Sequence, residues 1–389
     1  MSFSTQIHDF DFASQAYHIL PGARDYFCAK HKAHFQQVLE EDKSVSNEEN
    51  VSRKDLDVLD NRSFRYQIVC PKGTAASDRI TLLFHGFNEK DWAKYIPWAN
   101  AICEYTGNSV LLFPIAFHMQ RAPARWSNPR AMYALSKERK HTYPSVRQSS
   151  LSNVAISMRI HKMPQRFIWS GLQSYYDVIQ LLEECKSGKH PFINRNAKFD
   201  IFAYSIGGFL ALTLKLCNYA GYFAQSRVCL FCSGATLKDL APVSKFILDS
   251  EAYAELYAYV ISDFQTNLQK DDLLAHYLGK DHLEGQIFSS LFATGYLKTF
   301  RDNLLKACAE QIYAIGLSKD TVIPVAGIRS LLQGEDKDIS IRVDVLDFAR
   351  DYTHEDPFNY TSENDSEARQ NCKYIFQKVC DFFTNQSNT

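Results

Sequence analysis

Short apolar runs of β character alternate with segments of helical spacing, and this alternation constrains the fold more than any other feature of the chain. Runs that are apolar throughout are typical of strands buried on both faces, and intervening helices are typical of a parallel sheet covered on both sides. The predicted strands are 63–70, 80–84, 109–117, 199–204, 227–232, 311–317 and 339–346, and the predicted helices are 91–105, 170–185, 209–219, 324–332 and 363–383. We therefore predict an α/β fold with a parallel sheet.

Two segments interrupt the alternation and suggest a division of the chain. Residues 118–169 lack clear periodicity, and residues 237–309 are helical with no strand between them. The second segment follows the strand 227–232, so we interpret it as a cap over the carboxyl ends of the strands, where ligands bind in such sheets. The predicted parts are an N-terminal extension (1–62, with a helix over 24–41), a core (63–236 and 310–389, carrying the insert 118–169) and a helical cap (237–309).

Composition is that of a soluble globular protein. The chain has 389 residues, of which 46% are apolar and 22% charged, and its net charge of −1 creates no field that would attract nucleic acid or a membrane surface. No apolar run approaches the ~18 residues of a membrane span, and the first residues lack the basic and apolar regions of a signal peptide. We predict a cytoplasmic protein.

Ten scattered cysteines give no clear sign of a disulfide framework or a metal site. Cys229 and Cys232 form a CxxC, but they lie in a predicted strand and no second pair of metal-ligating residues accompanies them. Buried small apolar side chains are therefore the favoured interpretation. We predict free thiols, which suit a reducing compartment, and no metal.

Residues 203–207, Ala-Tyr-Ser-Ile-Gly, lie between a predicted strand and a predicted helix. The pattern small-x-Ser-x-Gly is typical of a sharp strand-to-helix turn that presents a serine hydroxyl. Ala203 and Gly207 suit such a turn because the backbones of strand and helix approach closely there. The same pattern is also found in ordinary loops, so the interpretation of Ser205 as a nucleophile depends on its partners.

Candidate partners for Ser205 follow later predicted strands. A serine hydroxyl needs a base to take its proton, and the base needs an anion to orient it. Asp320 follows the strand 311–317 and is the candidate anion, with Asp239 as a second candidate; the alternative for Asp320 is a turn or helix cap. His354 follows the last strand and is the candidate base, the alternative being a loop histidine without a role. Two histidines of the helical cap, His276 and His282, fit this role less well.

The turn after the strand 80–84 offers an oxyanion site. Gly86 allows an unusual backbone angle that would point the Phe87 N–H inward. The second donor would be the N–H of Ile206, at the start of the helix that follows Ser205, where the helix dipole favours negative charge. We expect the neighbouring His85 to be structural.

From about residue 63 to its C-terminus the chain resembles the α/β-hydrolase superfamily. The His-Gly turn at 85–86 is similar to that family's oxyanion loop and residues 203–207 to its nucleophile elbow, although Ala203 stands where the family usually has Gly. Asp320 and His354 resemble its acid and base, in the family's order of Ser, Asp, His. The resemblance implies a mostly parallel eight-strand sheet with helices on both faces and an acyl-enzyme mechanism. The turn at 85–89 and the basic insert suggest a bacterial branch.

Residues 117–170 contain ten Lys or Arg and a single acid, Glu138. One interpretation is a solvated surface loop. The other is that Arg121 or Arg125 recognises an anionic group on the substrate, because a guanidinium matches the geometry of a carboxylate or phosphate. No nucleic-acid partner is predicted, since aromatic residues are scarcely interleaved and no known binding module is present.

We predict a serine hydrolase that acts on a small acyl substrate of the carboxylic ester type and requires no cofactor. Ser205 would attack the carbonyl, His354 would take its proton, and Asp320 would hold the imidazole. An acyltransferase or a peptidase would use the same machinery. The alternative outside the enzymes is a non-catalytic protein with the same fold that binds a ligand in its pocket. The sequence carries no signal for an oligomeric state.

Overall fold

The computed structural model describes residues 4–20, 25–28, 31–36, 54–360 and 365–384. Its strands are β1 (Thr5–Ala13), β2 (Asp25–Cys28), β3 (Ala33–Gln36), β4 (Ser63–Pro71), β5 (Ser77–Phe84), β6 (Ser109–Leu112), β7 (Ile193–Tyr204), β8 (Val228–Phe231), β9 (Ile312–Leu317) and β10 (Arg342–Leu346). Its α-helices are α1 (Leu59–Arg62), α2 (Tyr95–Thr106), α3 (Pro129–Thr142), α4 (Val154–Lys162), α5 (Arg166–Lys186), α6 (Gly207–Cys217), α7 (Ser250–Tyr257), α8 (Phe264–Lys270), α9 (Asp272–Leu278), α10 (Leu283–Ser290), α11 (Lys298–Ala307), α12 (Val325–Leu332) and α13 (Ser366–Thr384).

Eight of these strands form one sheet in the order β1-β4-β6-β5-β7-β8-β9-β10. β1 and β4 run antiparallel to their neighbours, and the other six strands are parallel. The chain has the α/β-hydrolase fold, and the prediction of a mostly parallel eight-strand sheet is confirmed.

Successive side chains of the strands face opposite sides of the sheet, and helices cover both sides. Leu82 of β5 belongs to the core that contains the apolar faces of α5 and α6. Its neighbour Leu83 belongs to a second core, built with α2 and α13. Strands that are buried on both faces, such as β8 and β9, are therefore apolar throughout rather than alternating.

The N-terminal region differs from its prediction in two ways. β1 pairs with β4 along its whole length, from Thr5 opposite Pro71 to Ala13 opposite Ser63, so residues 5–13 belong to the core sheet. The helix predicted over 24–41 is wrong where the chain is described, because β2 and β3 pair there as an antiparallel hairpin. The remainder of that prediction lies outside the described residues. Strand pairing overrides a weak helical pattern in this segment.

Helices occupy both segments that interrupt the strand alternation. The insert 118–169 contains α3, α4 and the start of α5, and residues 237–309 contain α7 to α11. Leu240, Ile247 and Leu256 from the second segment line a cavity together with Ser205. These three residues therefore lie beside the turn that follows β7, and the division into core and cap remains a prediction. Among the described residues, no helix has both the length and the apolar character needed to cross a bilayer.

Candidate active site

Ser205 sits on a sharp turn between β7 and α6, and its backbone is in the left-handed region with φ of 55°. The turn requires small neighbours. A Cβ on Gly207 would lie 2.7 Å from the carbonyl oxygen of Phe84, and one on Gly208 would lie 1.9 Å from Oγ of Ser233. The Ser233 hydroxyl also donates to the carbonyl oxygen of Ser205 at 2.5 Å. These contacts fix the strained turn and the position of the serine.

Ser205, His354 and Asp320 meet at the carboxyl edge of the sheet. Nε2 of His354 lies 2.7 Å from Oγ of Ser205, and Nδ1 of His354 lies 2.7 Å from Oδ2 of Asp320. All three are buried, with 6%, 3% and 4% of their surface exposed for Ser205, His354 and Asp320 respectively. The structure thus brings together the three residues that the sequence singled out as nucleophile, base and anion.

Backbone donors orient the carboxylate. Oδ1 of Asp320 accepts hydrogen bonds from the N–H groups of Val322 and Ile323, each at 2.9 Å, which leaves Oδ2 for His354. With Nδ1–H donating to Asp320, Nε2 of the neutral imidazole can accept the Ser205 hydroxyl proton; this tautomer follows from the hydrogen-bond network. The second candidate anion, Asp239, instead accepts a hydrogen bond from the Thr236 hydroxyl at 2.6 Å.

Tyr204 supports the imidazole, a role that no sequence pattern indicated. Its ring stacks on that of His354 with centroids 5.4 Å apart and planes inclined by 13°. Its hydroxyl donates a hydrogen bond to the carbonyl oxygen of His354. Its position next to Ser205, at the end of an apolar strand, places it near the site but does not by itself indicate this role.

The turn after β5 is held by a hydrogen-bond network. Gly86 donates its N–H to the Tyr95 hydroxyl at 2.8 Å, and that hydroxyl donates to Oε1 of Glu89 at 2.8 Å. The Asn88 side chain donates to the carbonyl oxygens of Ser152 at 2.9 Å and Phe246 at 2.6 Å. The turn is thereby anchored to the insert and to the cap.

The predicted oxyanion donors belong to residues that line one cavity with Ser205, namely Phe87 and Ile206. In the part of the chain that the structure describes, neither backbone N–H donates to another residue. Both N–H groups remain candidates for the oxyanion donors.

His85 is a structural residue of the same turn. Its Nδ1–H donates to the carbonyl oxygen of Gly86 at 2.7 Å, and its Nε2 accepts from the N–H of Ile115 at 2.9 Å. Burial lowers the pKa of His85 well below its ordinary value. The neutral ring thus links the ends of β5 and β6, as expected from the sequence.

Buried neutral histidines near this turn should make folding stability depend on pH. Burial lowers the pKa of His118 from 6.5 to about 4. Between these values the unfolded chain binds a proton that the folded chain does not, so the free energy of unfolding should fall as the pH decreases. In urea titrations between these pH values, His118→Asn should reduce the slope of the free energy of unfolding against pH by about 1.4 kcal/mol per pH unit. The exposed His141→Asn is the control, and equal slopes for wild type and His118→Asn would contradict the expectation.

A cavity of about 860 Å³ opens at Ser205 and His354. Its carboxylates are Glu89, Asp91, Glu355 and Asp356, its lysines are Lys90 and Lys94, and its aromatic side chains are Phe87, Trp98, Trp126, Tyr204, Phe246, Phe358 and Tyr360. Lys94 forms an ion pair with Glu89. Lys90 donates to Oδ1 of Asn88 at 2.6 Å, and burial lowers its pKa to about 8. The lining is rich in aromatic side chains and carries more acids than bases.

Arg121 does not face this cavity, so its predicted contact with an anionic substrate is corrected. It has no exposed surface, and its guanidinium donates to Oδ2 of Asp177 at 2.6 Å, to Oδ1 of Asn61 at 2.9 Å and to the carbonyl oxygen of Pro114 at 3.1 Å. A guanidinium with these partners has no free edge for a ligand. Arg125 is exposed and lies outside the residues that line the cavity.

Other arginines of the basic insert are also buried in ion pairs. Arg139 binds Asp249 of the cap through two hydrogen bonds of 2.5 and 2.8 Å. Arg159 and Arg166 both contact Asp55, which lies before β4. The excess of positive charge in the insert is therefore partly balanced by acids from other segments, and these pairs join the insert to the cap and the N-terminal region.

Comparison with known proteins identifies the family of this chain. The model of a family of unknown function, DUF6051, matches residues 1–384. The chain belongs to DUF6051. No curated protein matches the sequence.

Similar solved structures include two esterases and a peroxisomal hydrolase. Carboxyl esterase 2 of the fungus Tuber melanosporum is 11% identical, with a TM-score of 0.44 over 82% of this chain and 81% of that one. A thermostable esterase of Pseudomonas putida is 10% identical, with a TM-score of 0.43 over 84% and 81%. The peroxisomal alpha-beta-hydrolase Lpx1 of Saccharomyces cerevisiae is 12% identical, with a TM-score of 0.38 over 100% and 92%.

Proposed function

We propose that this protein is a serine hydrolase that cleaves a small acyl substrate of the carboxylic ester type. The observation that carries the proposal is the hydrogen-bonded chain from Oγ of Ser205 through His354 to Asp320, with both distances 2.7 Å. The strained turn presents the Ser205 side chain, and the 860 Å³ cavity in front of it can hold a substrate next to the hydroxyl.

The reaction would proceed through an acyl-enzyme. Ser205 attacks the acyl carbonyl carbon as His354 takes the hydroxyl proton at Nε2, and Asp320 stabilises the resulting imidazolium. The N–H groups of Phe87 and Ile206 donate to the oxyanion of the tetrahedral intermediate. His354 then protonates the leaving alkoxide, and afterwards it activates a water molecule that releases the acid and regenerates the Ser205 hydroxyl.

The charge of the cavity favours a neutral substrate. Four carboxylates and two lysines line it, and one of those lysines, Lys94, is paired with Glu89. An anionic ester would have to approach the remaining carboxylates, whereas the aromatic side chains offer apolar contacts to an acyl or alcohol group.

A panel of acyl esters that differ in chain length and in charge tests this proposal. We expect turnover of neutral esters, with kcat/KM at least about tenfold higher than for anionic esters of equal length, because like charges repel in a partly buried site. Arg125→Ala should leave the ratio of the two rates unchanged within about twofold, since an exposed charge outside the cavity acts weakly. No turnover of any ester would contradict the proposed reaction. A preference for anionic esters that Arg125→Ala removes would contradict the proposed substrate.

A further inference from the structure

Four potential metal ligands converge on the side of the molecule where the N-terminal hairpin meets the cap. They are Cys28, His31, His276 and His282, and their ligand atoms all lie within 4.8 Å of one another. Cys28 ends β2 and His31 lies in the turn of the hairpin, whereas His276 is in the last turn of α9 and His282 directly precedes α10. Cys28 and His282 are 254 positions apart, so no local spacing in the sequence indicated the cluster.

Three of the separations within the cluster match those around a tetrahedral metal ion. Sγ of Cys28 lies 3.5 Å from Nε2 of His282 and 3.6 Å from Nδ1 of His31, and the Nε2 atoms of His282 and His276 are 3.2 Å apart. A tetrahedral Zn²⁺ with Zn–S of ~2.3 Å and Zn–N of ~2.0–2.1 Å places sulfur and nitrogen ligands ~3.5 Å apart and two nitrogens ~3.3 Å apart. These three contacts thus have the spacing of ligands to one bound ion, and the remaining donor pairs lie within 4.8 Å of each other.

A buried carboxylate orients one of the imidazoles. Oε1 of Glu284 lies 2.7 Å from Nδ1 of His282 and accepts the Tyr176 hydroxyl at 2.7 Å. With Nδ1–H of His282 donating to this carboxylate, the Nε2 atom of His282 is left facing Sγ of Cys28 and Nε2 of His276. Carboxylates commonly hold metal-binding histidines in this way.

We propose that Cys28, His31, His276 and His282 bind one Zn²⁺ ion in a structural site. A thiolate and three imidazoles are the soft and borderline donors that Zn²⁺ prefers, and four protein ligands leave no open position for a substrate. Cys28 and His282 are almost fully buried, with 4% and 2% of their surface exposed. This site departs from the sequence prediction of no metal.

The ion would join the N-terminal hairpin to the cap without touching the reacting groups. None of its four ligands lines the 860 Å³ cavity at Ser205. Cys28 and His282 instead line a separate cavity of about 440 Å³ together with Tyr176 and Glu284. The site is thus independent of the proposed hydrolase chemistry, and its test does not require an active enzyme.

Cobalt titration of the full-length protein tests the site. After removal of bound metal with a chelator, Co²⁺ should bind with a stoichiometry of one, and it should show the intense visible bands of tetrahedral cobalt together with a thiolate-to-cobalt charge-transfer band. Zn²⁺ should displace it and raise the Tm. Failure of Co²⁺ to saturate at one equivalent, or a weak spectrum typical of six-coordinate cobalt, would overturn the proposal.

Two ligand variants, one variant of the orienting carboxylate and one control test the assignment. Cys28→Ser should abolish the charge-transfer band, and the exposed His31→Gln, which is well placed to leave folding intact, should weaken Co²⁺ binding by at least about tenfold. Glu284→Gln should keep the band but weaken binding by about 10–100-fold. Cys308→Ser is the matched control and should bind like the wild type. A charge-transfer band retained in Cys28→Ser, or wild-type affinity in His31→Gln, would contradict the assignment.

Discussion

Replacing Ser205 with alanine should lower kcat for ester hydrolysis by a factor of about 10⁴–10⁶. The variant loses the oxygen that lies 2.7 Å from Nε2 of His354, and no acyl-enzyme can form without it. The fold should persist, because alanine is smaller than serine and the turn is held by Ser233 and by the close approach of Gly207 to Phe84. Steady-state kinetics measure the loss, and far-UV circular dichroism together with the Tm measures the fold.

Ser136→Ala is the matched control for this variant. Ser136 is also a buried serine, but its hydroxyl donates to the carbonyl oxygen of Tyr133 in its own helix, at 2.9 Å. We expect kcat of this control within about twofold of the wild type, as for a change remote from the site. A Ser205→Ala enzyme that retains more than about a tenth of wild-type kcat would exclude Ser205 as the nucleophile.

Replacing Asp320 with asparagine should lower kcat by about 10⁴, mainly through the tautomer of His354. The N–H groups of Val322 and Ile323 both donate to Oδ1 of Asp320, so an amide at this position must place its oxygen there. Its NH₂ group would then face Nδ1 of His354, and the imidazole would carry its proton on Nε2. In that tautomer Nε2 cannot accept the proton of Ser205.

Asp239→Asn separates this effect from a general loss of negative charge. Asp239 was the second candidate anion in the sequence, but its carboxylate accepts from Thr236 rather than from His354. We expect kcat of Asp239→Asn within about fivefold of the wild type, because it leaves the His354 tautomer unchanged. Comparable losses in the two variants, or near-normal activity in Asp320→Asn, would show that Asp320 does not set the tautomer.

The convergence of Ser205, Asp320 and His354 could be predicted because each follows a strand of a parallel sheet. The carboxyl ends of β7, β9 and β10 lie at one edge, so residues far apart in sequence meet once the strands are recognised. The apolar runs of the strands were strong enough to predict the sheet. The Gly86 turn could be placed for the same reason, since it directly follows β5.

Interactions between distant segments could not be predicted in this way. The sequence around Arg121 does not distinguish an arginine that binds a substrate anion from one that is buried in an ion pair. Only the fold shows that Asp177 neutralises Arg121 inside the core. β1 was missed because an edge strand with alternating polar residues gives a weaker signal than a buried parallel strand. The cluster of Cys28 with His282 depends on the hairpin reaching the cap, which no periodicity indicates.

Labelling with a fluorophosphonate, followed by mass spectrometry of the peptides, tests the central claim most directly. The probe reacts covalently with an activated serine hydroxyl, and Ser205 is the hydroxyl in contact with the Nε2 atom of His354. We expect one adduct per chain, located on Ser205, and no adduct in the Ser205→Ala variant. An intact, folded protein that forms no adduct, or that carries it on another residue, would contradict the assignment of Ser205 as an activated nucleophile.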